Sequence, residues 1–162
     1  MSIILGIVML AGSAMAAEIP AGPVVLTVAG NIARVNRPAY DADRDMFFRH
    51  HKRTFANAFV FDRTMLESLG VKTIHVKWAG PEVISGPRLV DVLAAAGCRE
   101  KTVDTLALDG FRFKADTEAR EWIVATRADG RPLGIGDRGP LWLVTEKDVG
   151  LGPWALFFIE CG

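Results

Sequence analysis

Two apolar runs, Trp122-Ile123-Val124-Ala125 and Leu141-Trp142-Leu143-Val144, stand on either side of a polar stretch rich in glycine and proline. Trp122 to Thr126 and Leu141 to Val144 each read as an apolar, buried strand. The first breaks at Asp129-Gly130, a pair whose ready access to positive φ favours a tight hairpin turn. The excursion that follows sets Arg127, Asp137 and Arg138 at the ends of buried strands, where ligands commonly bind.

The rest of the chain supplies short elements of both kinds. Val24 to Val28 is a β-branched run ended by Gly30-Asn31. Asp62 is placed to cap a helix carrying Met65, Leu66 and Leu69, which Gly70 ends. Ile74 to Trp78 alternates, with Ile74, Val76 and Trp78 on one face and His75 and Lys77 on the other. Leu89, Val92, Leu93 and Ala96 fall at the spacing of one helix face. Leu106 to Phe113 reads as a hairpin whose Asp109-Gly110 predicts a type I′ turn, and Asp116 to Glu121 as a short capped helix. Trp154 to Ile159 makes a last strand. Many short strands with two or three short helices predict an α+β fold with a mixed sheet.

Residues 44–53 alternate charged and aromatic side chains, and they read as a solvated helix or ordered loop. The competing reading is a lid or a partner-binding segment.

Ile3 to Ala17 is a short apolar run that ends in small residues, the pattern of a secretory signal peptide, so residues 1–17 are expected to be removed and 18–162 to form one domain. The run is shorter than the ~20 apolar residues a bilayer span needs, so no stable membrane anchor is expected. The exported protein is then expected to be periplasmic or secreted. With 19 basic and 19 acidic side chains, the chain offers no electrostatic case for nucleic acid or an anionic membrane. Cys98 and Cys161 lie at element ends in an exported chain, and a bridge between them and two unpaired thiols are both open. His50, His51 and His75 have no spacing that chelates, since adjacent histidines diverge on a helix and on a strand alike.

Residues 125–133 (Ala-Thr-Arg-Ala-Asp-Gly-Arg-Pro-Leu), continuing through Asp137-Arg138-Gly139-Pro140-Leu141, resemble the signature of the molybdopterin-binding oxidoreductase domain, the sulfite-oxidase fold, in its small exported form. Leu26-Thr27-Val28-Ala29-Gly30, Phe61-Asp62 and Gly86-Pro87-Arg88-Leu89-Val90-Asp91-Val92-Leu93 extend the resemblance over most of residues 24–160. It implies a cavity for a pterin or molybdopterin-like ligand. Enzymes of that family hold molybdenum through one cysteine thiolate, whose place here falls near Ile74 to Lys77, where no cysteine stands. Molybdenum is therefore not expected, and a valine or lysine cannot replace a soft thiolate donor. Small relatives lacking that cysteine resemble periplasmic pterin-binding proteins that report occupancy to membrane-bound signalling enzymes. The resemblance thus implies a non-catalytic, sensory protein whose partner is the periplasmic part of a membrane signalling protein.

A pterin asks for a flat face to stack on and for acceptors opposite its ring donors. Asp109, at the family's turn position, is the candidate acceptor; Trp78 and Phe111 are candidate walls; Arg127, Asp137 and Arg138 are candidates for a side chain or phosphate. A molybdopterin-dependent oxidoreductase and an interaction domain whose pocket is filled by its own side chains are the two alternatives.

Overall fold

Strand alternation and helix periodicity account for most of the chain in the computed structural model, which describes residues 18–77 and 80–162. The expected signal peptide and Trp78 lie outside the described residues. Within them the fold is α+β, with a mixed five-stranded sheet, a four-stranded sheet, a two-stranded ribbon and a few short helices.

Strand β1 (Val24–Gly30) runs parallel to β11 (Leu156–Cys161) and antiparallel to β2 (Ala58–Asp62). β5 (Thr102–Ala107) and β6 (Arg112–Asp116) continue the sheet beyond β11. One parallel pair among antiparallel ones makes the sheet mixed. Its first face carries Leu26, Val28, Phe59, Phe61 and Ile159, packed on Leu89, Val92, Leu93 and Ala96 of helix α3 (Leu89–Ala96). All four helix residues are buried, as their spacing requires.

The ribbon of β7 (Ile123–Ala125) and β10 (Trp142–Val144) explains the two apolar runs. Val124 and Leu143 join the first core, while Ile123, Ala125, Trp142 and Val144 face a second one with Ile74 and Ile84. A strand with a core on each side has no face on which a polar residue would be solvated. The second core lies under the sheet of β3 (Lys72–His75), β4 (Val83–Gly86), β8 (Arg127–Ala128) and β9 (Arg131–Pro132). Ile74 and Val76 point into it, while His75 and Lys77 are exposed.

Helix α2 (Arg63–Ser68) starts where Asp62 accepts a hydrogen bond from the Met65 N–H at 2.8 Å, as the capping pattern predicts. The charged and aromatic segment forms the single turn α1 (Met46–His50) and is not wholly solvated. Phe48 and Phe55 are buried with Phe157 and Phe158 on the second face of the large sheet. Arg37 stacks on Phe48 and Phe55 and is held by both carboxylate oxygens of Asp45.

Two local expectations are corrected. Residues 116–121 form no helix: Asp116 ends β6, and its carboxylate takes the N–H groups of Glu118 and Ala119 in a tight turn. Asx turns satisfy the same orphan donors as a helix cap, so the cap residue alone does not dictate a helix. The two Asp-Gly pairs also differ. Asp129 and Gly130 both take positive φ, as a type I′ hairpin between β8 and β9 needs, whereas at 109–110 only Gly110 does. There the Gly110 N–H reaches the Ala107 carbonyl, and Asp109 Oδ1 accepts the Phe111 N–H at 2.9 Å.

Candidate functional site

The polar excursion between β9 and β10 places Arg138 at the junction of two clefts. Ile135 to Asp137 forms one 3-10 turn, closed by the Gly134 N–H on Asp137 Oδ2 at 3.0 Å. The Asp137 carbonyl accepts the Trp142 indole N–H at 2.9 Å. Asp137 is thus occupied in fixing the loop.

Arg138 follows in a left-handed backbone conformation, φ +65°, and Ala155 across from it has φ +53°. Each costs on the order of 1 kcal/mol, and paired outliers of this kind mark places that the surrounding structure holds against their preference. Gly139 is required between them, because a Cβ there would lie 2.4 Å from the Ala155 Cα. That close approach brings the Arg138 guanidinium to 4.2 Å from the centroid of the Trp154 ring.

The first cleft, about 370 Å³, is lined by Leu108, Asp109, Ile135, Arg138, Gly139, Trp154 and Ala155. Its size falls in the usual range for small-molecule sites. The second, about 250 Å³, has Asp137, Arg138, Arg131, Asp129 and Trp142 on its walls, with Gly80 and Pro81 at one side. Its two arginines face two aspartates, and Asp129 Oδ1 already accepts the N–H groups of Glu82 and Val83.

Of the residues singled out in the sequence, Asp109 and Arg138 therefore share one cleft, and Asp137 and Arg138 share the other. Phe111 lies at the hairpin tip, 49% exposed, and lines none of these walls. Arg127 is taken up elsewhere. Its guanidinium makes a two-pronged pair with Glu67 of α2 at 2.9 and 3.0 Å, and Glu67 also receives the Thr126 hydroxyl. The Arg127 hydrogen bond, opposed by burial and helped by Thr126, holds the Glu67 carboxyl below its ordinary pKa. Arg63 from the same helix donates to the Thr126 and Leu133 carbonyls. Together these contacts lock α2 to the end of β7.

Trp154 and Ile135 belong to the site although sequence reasoning did not select them. Trp154 stands two residues before the last strand, behind Gly152-Pro153, at a strand mouth. Ile135 gives no such sign. Cys98 and Cys161 are joined in a disulfide, Cα atoms 6.1 Å apart, at the far end of β11. Among the described residues no cluster of three metal-ligating side chains occurs. Neither a protein-family model nor a curated protein matches this chain.

Proposed function

We propose that this protein is an exported, non-catalytic domain of the sulfite-oxidase type that binds a flat pterin-like ring in the Arg138 cleft and passes its occupancy to the periplasmic part of a membrane signalling protein. The observation that carries this reading is the convergence of a carboxylate, Asp109, and an indole, Trp154, on one cleft of suitable size. With Oδ1 on the Phe111 N–H, the Asp109 carboxylate keeps lone pairs for the adjacent ring donors of a pterin. The guanidinium on Trp154 supplies a second flat surface.

The molybdenum form of such a cofactor does not fit this donor set. The chain's two cysteines are bonded to each other at a distance from the cleft, so neither offers a thiolate there. A disulfide also agrees with an oxidising compartment outside the cytoplasm. The filled-pocket alternative has support of its own, since Arg138 already covers one face of Trp154.

Calorimetric titration of residues 18–162 with a tetrahydropterin separates the two. Saturable binding is expected, weakened roughly tenfold by Asp109→Ala, because a charge-assisted hydrogen bond contributes about 1.5–3 kcal/mol. Arg127→Ala should leave the affinity unchanged, its partner being Glu67. No heat of binding, or equal affinity in Asp109→Ala, would rule the pterin reading out.

A further inference from the structure

Adjoining that cleft, with Leu108 and Ile135 common to both, the second face of the large sheet holds a cavity of about 540 Å³ beside the aromatic cluster of α1. Thr27 and Val60 are directly paired on β1 and β2, so they point to the same side, away from Leu26, Val28, Phe59 and Phe61. Phe48, Phe157 and Ile135 line it. Three of the lining residues, Val24, Phe47 and Ile135, are large apolar side chains left 50, 44 and 76% exposed at the mouth. Apolar side chains gathered around a concavity mark a binding surface more often than scattered ones do.

Two polar groups meet the cavity, and each restricts the occupant. Thr27, 2% exposed, brings its hydroxyl-bearing side chain to the cavity wall. A hydroxyl set in an otherwise apolar wall can bond a ligand oxygen and fix its orientation. Arg37 lines the same cavity, but both Asp45 oxygens neutralise it at 2.7 and 2.8 Å. No uncompensated cation is therefore presented to an anion.

We infer that this cavity binds a neutral lipophilic molecule carrying one hydrogen-bonding oxygen, its hydrocarbon body against Phe48, Phe157 and Val60 and its oxygen on the Thr27 hydroxyl. A charged carboxylate of equal length is disfavoured, because nothing there offsets its desolvation.

The test uses residues 18–162 with the neutral dye Nile red, displaced by dodecan-1-ol or by dodecanoate. The inference expects one dye bound per chain, with dodecan-1-ol displacing it at roughly tenfold lower concentration than dodecanoate. Thr27→Val keeps the shape and should weaken dodecan-1-ol about fivefold while sparing the dye's hydrophobic contribution. Val60→Phe should abolish displaceable binding, its fold checked by circular dichroism. Dye binding unaffected by Val60→Phe in a folded protein would overturn the inference. So would dodecanoate displacing as well as the alcohol, or no effect of Thr27→Val. A dimer in sedimentation that Val60→Phe dissolves would also overturn it, by assigning the face to a second copy of the chain.

Discussion

Replacing Cys98 and Cys161 together by alanine should lower the folding free energy by about 4 kcal/mol, and the melting temperature by roughly 12 °C. The bridge spans a sequence separation of 63, so in the chain-entropy description it removes much of the freedom of the unfolded chain. It also joins two places that no hydrogen-bond ladder connects directly. Cys98 follows the left-handed Gly97 that ends α3, and Cys161 ends the strand lying between β1 and β5. Both side chains are buried, beside Gly30, whose added Cβ would lie 2.4 Å from the Cys161 carbonyl oxygen. Urea titration of the double variant against the oxidised wild type measures the difference. A loss below 1 kcal/mol would mean that the unfolded chain is already compact around this pair.

Asp62→Ala should cost about 3 kcal/mol, the larger part from stranded donors rather than from the helix cap alone. The carboxylate is 3% exposed and accepts the Met65 N–H on one oxygen and the Ala21 and Gly22 N–H groups, at 2.9 and 2.8 Å, on the other. It therefore caps α2 and fastens the entry to β1 at the same time. The Met65 bond, opposed by burial and joined by Gly22, Ala21 and Thr64, holds its pKa below the ordinary aspartate value. The folded state thus takes up a proton less readily than the unfolded one. The stabilisation is complete above the unfolded pKa, about 3.9, and is lost as pH falls through the lower folded value. Melting curves from pH 7 to pH 2 should show wild type and Asp62→Ala converging only below about pH 4. A gap that persists unchanged to pH 2 would show that the carboxylate's charge is irrelevant to its role.

Both effects rest on residues whose local setting was readable in advance to different degrees. The cap was legible because Asp62 stands immediately before a helical repeat, and the donor it binds is three residues away. Helix α3 was legible from four apolar residues at one spacing. At 116–121 the same kind of evidence misled, since Asp116 satisfies the nearby N–H groups without any helix following. The type I′ expectation failed at 109–110 and held at 129–130 because dipeptide preference does not set the length of the loop around it.

The site divides along the same line. Arg127 and Arg138 are alike in sequence, each at an element end in one polar excursion. Yet Glu67, brought in on α2, pairs with the first, and Trp154, two residues before β11, stacks on the second. The face on which Thr27 sits follows from alternation, but not the empty space above it. That space depends on how far α1 and Ile135 reach across the sheet.

By itself the amino-acid order determined what nearest neighbours and backbone sterics decide: several of the strands though not β2 or β4, where α2 and α3 begin and end, and that the class is α+β. Tertiary structure alone decided which distant groups meet. The pairing of Cys98 with Cys161, of Arg127 with Glu67 and of Arg138 with Trp154 each needs segments far apart in the chain to arrive at one place. Their encounter is set by sheet order and register, which no local periodicity encodes.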